Sequence, residues 1–338
     1  MRCRPRTKTI EQSNYLMTLE TTWRELPPSP AMTEAIAFAE QETPRAAIRA
    51  EVARIAALIS TREQRRERAI LRDMRKRWSE RFATASASMI ANEIRTHTAI
   101  RSRFDVQPDT RGGGQETFTP LGYKKGKRID VVVAGPLVGL QVGISLKGLN
   151  FADDSSGNHD KNLTGRLYEL RDEVSTVHEY LPRAFMAAVI FMPLAGCLDK
   201  VGAPSSFAHL VAELRARTGR LDPSVVAHAW RCDFSAVGLY SPGDPEDSDL
   251  GIKPGVFRIF PLEDEAGHEN SPPRRGLPRI ASTVDLAEFV DRLIGSAISG
   301  SAVSIRYAPA EGEVSAPPID AEQFDLEMSD EEEPDDDL

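Results

Sequence analysis

The sequence predicts an α/β protein, a mixed-sheet core in the order αβββαβ with a helical region before it and a disordered acidic tail after it. Three observations carry that prediction. Residues 128–151, RIDVVVAGPLVGLQVGISLKGLNF, hold two apolar strands around Gly135-Pro136, and the second alternates with the period of two that a half-buried strand shows. Residues 162–180 place Leu163, Leu167, Leu170, Val174 and Val177 at spacings of three and four, the stripe of an amphipathic helix. The run AFMAAVIFMPL over 184–194 is apolar throughout and reads as a strand buried on both faces.

Residues 1–30 are a loosely ordered lead-in closed by Pro27, Pro28 and Pro30. A helix near 44–60 follows from Ile48, Val52, Ile55 and Ile59. The next helix carries Ile70, Met74, Trp78 and Phe82 as its apolar stripe, and a third, around 86–98, holds Glu93. Arg72, Arg75 and Lys76 on the second helix, with Lys124, Lys125 and Lys127 before the hairpin, are candidate phosphate contacts. Interleaved Glu63, Glu67, Asp73 and Glu80 leave open the other reading, a solvated helix with its own ion pairs. Arg111-Gly112-Gly113-Gly114 lacks the GK[ST] ending of a phosphate-binding loop and is a connector.

Strands are then expected at about 116–123, 129–134 and 138–147, before the helix at 162–180 and the strand at 184–194. Later pieces are a helix near 205–217, strands near 225–240 and 255–262, a Pro-rich linker around 263–279 and a helix near 283–298. This divides the chain into a basic helical region (1–84), an α/β core (85–262), a linker with a C-terminal helix (263–310) and the tail (311–338).

At 338 residues, 41% hydrophobic and 28% charged, the chain is long enough for one large domain or two smaller ones. No stretch approaches the roughly 18 to 20 apolar residues of a membrane span, and the basic start lacks the apolar segment of a secretory signal. Cys3, Cys197 and Cys232 form neither a disulfide framework nor a zinc pattern, so the expected setting is a reducing cytoplasm. The net charge of −9 conceals a gradient. Residues 1–128 hold 25 Lys and Arg against 15 Asp and Glu, whereas residues 311–338 hold 13 acids and no base. The basic half is free to meet a polyanion despite the overall acidity, and the tail suits a basic protein partner or competition with nucleic acid for a basic groove.

Along the second strand of the hairpin, Val138, Leu140, Val142, Ile144 and Leu146 are expected on one face. Gly139, Gln141, Gly143, Ser145 and Lys147 take the other, a face of small and polar residues with room for a ligand. Asp130 is the one charge in the first strand. The loop Asn158-His159-Asp160-Lys161-Asn162 either positions a phosphate or caps the following helix through Asn162. No G-x-S-x-G elbow supports serine hydrolase chemistry.

Asp130 in one strand, Ser145-Leu146-Lys147 at the end of the next and Glu93 in the preceding helix resemble the PD-(D/E)xK nuclease superfamily, the restriction-endonuclease-like fold. The resemblance covers about a third of the chain, and it implies Mg²⁺ or Mn²⁺ held by carboxylates, with Lys147 beside the reacting water. Position 145 departs from the pattern, because Ser stands where Asp or Glu belongs. A branch of the family with Ser at that place takes its acid from the following helix, which here offers Glu169, Asp160 and Glu173. Entry from the Lys147 strand favours the first turns, giving the order Glu169, Asp160, Glu173, with Asp130 as the fixed metal ligand and Glu93 as an accessory carboxylate. The function implied is a Mg²⁺-dependent endonuclease acting on DNA, with RNA left open, in restriction or antiphage defence. The N-terminal helices would supply DNA contacts or a homo-oligomer surface. The alternative is a non-catalytic nucleic-acid-binding or assembly subunit that keeps the fold.

Overall fold

A computed structural model describes residues 22–58, 60–108, 116–118, 127–135, 139–220, 226–264 and 267–300. Helix α1 (Pro30–Glu40) starts where Ser29 Oγ accepts from the Met32 N–H, with Pro30 at the first helical position. Helix α2 (Arg45–Ala56) follows. Helix α3 (Thr61–Thr96) is one unbroken rod of 36 residues, about 54 Å long. The predicted break before residue 86 does not occur, because Ala83-Thr84-Ala85-Ser86 contains no glycine or proline and continues the helix. Its buried stripe runs through Leu71, Trp78, Phe82, Ser86, Met89 and Ile90. Leu71 thus takes the place expected of Ile70, which is 44% exposed.

The main sheet has six strands. Strand β1 (Asp105–Gln107), β4 (Val131–Gly135) and β5 (Gly139–Gly148) form an antiparallel meander. Helix α4 (Leu163–Tyr180) then crosses to β6 (Phe185–Pro193), which lies parallel to β5. Helix α5 (Ser206–Arg215) crosses to β7 (Phe234–Tyr240), parallel to β6. The short helix α6 (Pro245–Asp249) precedes the antiparallel edge strand β8 (Phe257–Pro261), and α7 (Leu286–Ser299) closes the described chain. The expected strand near 225–240 is shorter at its start, where 226–228 form a 3₁₀ turn.

The first strand of the meander differs from expectation. Residues 105–107 take that place, while β2 (Glu116–Phe118) pairs with β3 (Lys127–Ile129) in a separate two-stranded sheet. Residues 119–123 of the expected strand lie outside the described residues, as do Arg111–Gly114 and the tail.

Each face of the sheet has its own core. Val131, Val133, Val142, Ile144 and Leu146 pack with α1, α2, α3 and α7. Ile129, Met186, Ala188 and Ile190 pack with α4 and α5. Strand β6 is buried along its whole length, as its apolar run requires. Leu140 belongs to the second core, against the simple alternation. The register jumps from Val133↔Val142 to Ala134↔Leu140, so Gln141 is the extra residue of a bulge, and the bulge sends Leu140 to the other face. No helix among the described residues is long and apolar enough to cross a membrane.

Candidate active site

Strand β5 carries the site. Ser145 and Lys147 are two apart and share the face covered by α4, where Glu173 meets both. Ser145 Oγ–H donates to Glu173 Oε2 at 2.5 Å, and the Lys147 ammonium donates to Oε1 at 2.7 Å. The Lys147 and Glu173 side chains are 11% and 18% exposed, so this ion pair is mostly shielded from water.

Asp130 stands at the bend between β3 and β4, one residue before the Val131↔Ile144 pair and hence across from Ser145. Its Oδ2 accepts the Leu146 N–H at 2.6 Å. The aspartate therefore ties the start of β4 to the segment of β5 between Ser145 and Lys147. Gly143 does not provide the room expected of it. A Cβ there would meet Met186 Sδ at 2.6 Å, so the side chain of β6 fills the space and the open ground begins only at Lys147.

That ground is a cleft of about 900 Å³ between the middle of α3, the end of β5 and the start of α4. Arg72, Arg75 and Lys76, read as phosphate contacts, all line it. So do Arg68, Arg128 and Arg166. Asp154 answers Arg75 across the rim at 2.6 Å, and Glu169 answers Arg166 at 2.8 Å. Cations still outnumber acids along the wall, and a polyanion fits that balance. Lys147 is the member of the β5 cluster on this wall, while Asp130 and Ser145 are buried.

Three expected placements are corrected. Glu169, ranked first as the acid for Ser145, lines the cleft but is 51% exposed and paired with Arg166; Glu173, one turn deeper, makes the contact. Asp160 belongs to a different cluster. It pairs with Lys200, and its Oδ2 lies 2.5 Å from His209 Nδ1. Burial opposes its charge, but the hydrogen bonds from His209 and Lys200 prevail and hold its carboxyl below the usual range. Glu93 lies nine residues beyond Thr84, the last α3 residue on the cleft wall, which is about 14 Å along the helix. Lys124 and Lys125 lie outside the described residues; Lys127 falls in β3, opposite Phe118.

His159 lines the cleft with Asp199 behind its ring, and Asn162 makes no side-chain cap on α4. The dense loop 158–162 is the sequence signal for it, though its partner comes from the segment that follows β6. Among the described residues no group of three or more His, Cys, Asp or Glu side chains is arranged to hold a metal. No protein-family model, curated protein or solved structure matches the chain.

Proposed function

We propose that this protein is a metal-assisted endonuclease acting on DNA, a variant of the PD-(D/E)xK plan in which Glu173 supplies the acid that position 145 lacks. The observation that carries the reading is the meeting of Ser145, Lys147 and Glu173 beside Asp130 at the edge of a basic cleft. The order of elements lends support: α3, the meander β1-β4-β5, α4, then β6 parallel to β5 follow the restriction-endonuclease-like sequence of parts.

The donor set is oxygen only. The Asp130 and Glu173 carboxylates with the Ser145 hydroxyl suit Mg²⁺ or Mn²⁺, hard ions that take one or two carboxylates and keep several waters. An ion held by these residues would supply Lewis acidity toward a phosphoryl oxygen and a water made nucleophilic near neutral pH. Lys147 stabilises negative charge gathering on phosphorus. Arg72 and Lys76 neutralise the sugar-phosphate backbone and hold it along α3. A place in restriction or antiphage defence is part of the proposal and rests on the family analogy.

Incubation of the purified chain with plasmid DNA and Mg²⁺ or Mn²⁺ tests the reading, with EDTA, an RNA oligonucleotide and Lys147→Ala alongside. The expected result is nicking or linearisation with either ion, none with EDTA, and a loss of about 100-fold or more in the variant. DNA bound but never cut would favour the second reading, a binding or assembly subunit. What speaks for that reading is that both Glu173 oxygens are already engaged and Asp130 and Ser145 are buried.

A further inference from the structure

His159 and Asp199 meet beyond the carboxyl ends of β5 and β6. His159 opens the 3₁₀ turn before α4, and Asp199 follows the 3₁₀ segment Leu194–Cys197 that leaves β6. The imidazole Nδ1 stands 3.2 Å from Asp199 Oδ2, and the His159 main-chain N–H donates to the same oxygen at 3.0 Å. Ser206, at the start of α5, fixes the carboxylate from the other side. Its N–H donates to Oδ1 at 2.8 Å and its hydroxyl to Oδ2 at 2.6 Å. Burial opposes the charge on Asp199, but the hydrogen bonds from His159 and Ser206 prevail and hold its carboxyl below the usual range. An ionised carboxylate only accepts, so the shared proton sits on Nδ1 and the ring's free edge is Nε2.

Both side chains are 8% exposed, and the part of His159 that water reaches is on the wall of the basic cleft. Such a constraint exceeds what a turn needs. The turn is already held by main-chain N–H groups of His159 and Asp160 donating to Ser206 Oγ, both at 3.2 Å, without the ring. The charged groups sharing the cleft with His159 are the cations Arg68, Arg72, Arg75, Lys76, Arg128, Lys147, Lys161 and Arg166 and the acids Glu80, Asp153, Asp154 and Glu169. Arg75, Lys147, Lys161 and Arg166 each have a carboxylate partner, whereas the free edge of His159 has none among the described contacts.

We infer that His159 is the group that protonates the leaving oxygen of a phosphodiester in this cleft, with Asp199 as its positioning residue; the inference rests on the hydrolytic reading above. In the step, a water oxygen bonds to phosphorus and releases its proton to solvent. The bond from phosphorus to the leaving sugar oxygen breaks, and its electron pair stays on that oxygen. The oxygen takes the proton from His159 Nε2, and solvent later returns one to the ring. Imidazole suits the task because, among side chains, its ordinary titration range lies nearest neutral pH. Asp199 holds the tautomer and stabilises the imidazolium that forms between turnovers.

The test compares an oligodeoxynucleotide, whose alkoxide leaving group needs a proton, with bis(p-nitrophenyl) phosphate, whose phenolate does not. With the full chain and Mg²⁺, His159→Gln is expected to slow oligonucleotide cleavage by about 10²- to 10⁴-fold while hydrolysis of the nitrophenyl ester stays near the unsubstituted rate. Asp199→Asn should show the same selectivity with a smaller loss. In the unsubstituted protein the oligonucleotide-to-ester rate ratio should fall as pH rises, because a deprotonated ring has no proton to give the leaving oxygen. Equal rates, or equal losses on both substrates, overturn the inference alone. A flat rate ratio against pH does so even if the variant fails to fold. An unsubstituted protein that cleaves neither substrate overturns the hydrolytic reading and the inference with it.

Discussion

Glu173 holds Ser145 and Lys147 with two hydrogen bonds, one of them charge-assisted, in a setting where water reaches little of either ionic side chain. Counting along a period-two strand is enough to put Ser145 and Lys147 together, so that half of the site is legible in the sequence. Glu173 is harder to rank, because reach from a strand to the next helix depends on the connection. Here residues 149–162 carry the chain past the sheet before α4 begins, and α4 then returns antiparallel to β5. Its third turn, not its first two, faces Ser145. Asp247 is a different kind of buried acid. Its Oδ2 accepts from the Ser241 hydroxyl and the Gly243 N–H, both at 3.0 Å, while Oδ1 is buried without a hydrogen-bond partner among the described residues. Burial, and then the nearby Asp244 charge, push its carboxyl up to about 6. A folded value raised above the unfolded one means stability that is full below about pH 4 and lost as pH rises through 6, a difference of about 3 kcal/mol. Asp247→Asn keeps an acceptor for Ser241 and Gly243 and cannot ionise. Urea midpoints of the unsubstituted protein should therefore fall more between pH 4 and 7 than those of the variant, and an equal fall in both would contradict the assignment.

Helix α3 serves two masters along its length. Trp78 and Phe82 stack at 4.9 Å inside the core, and the buried Arg45 guanidinium sits 4.8 Å from the Trp78 ring and 4.5 Å from Phe151. On another face Arg68, Arg72, Arg75 and Lys76 line the cleft. Arg81 looks elsewhere, pairing with Glu42 at 2.6 Å and covering the Phe38 ring. The double change Arg72→Gln and Lys76→Gln should weaken DNA binding and lower the slope of log K against log salt by up to about 1.8, since each phosphate contact contributes about 0.9. Arg81→Gln should leave the slope unchanged. Equal slopes in all three proteins would remove α3 from the interface. The long helices and β6 are legible because their periodicity repeats over many residues. Strand β1 is not: three residues with one buried side chain, Val106, leave no pattern to count, and its place comes from pairing with β4.

Over the whole molecule, charge is arranged against itself. The 13 acids of residues 311–338 have no base among them, while residues 1–128 carry an excess of ten positive charges and include the helical wall of the cleft. Truncation after residue 312 is expected to tighten DNA binding at low salt and to change little near 1 M, where screening falls to about 3 Å. Unchanged affinity at low salt would assign the tail to a protein partner instead. The topology can be inferred from the order of patterned segments, but the bulge at Gln141 and the filling of Gly143 by Met186 arise only when β4, β5 and β6 are placed side by side. The central claim is that Glu173 stands in for the acid absent at position 145, and moving the carboxylate tests it most directly. Glu173→Ala removes about the volume that Ser145→Glu adds, so the double substitution transfers the acid from α4 to β5 at nearly constant packing. Mg²⁺-dependent plasmid cleavage is expected to collapse in Glu173→Ala and to return in part in Ser145→Glu/Glu173→Ala. Full cleavage by Glu173→Ala alone, or none in a folded double variant, would contradict it.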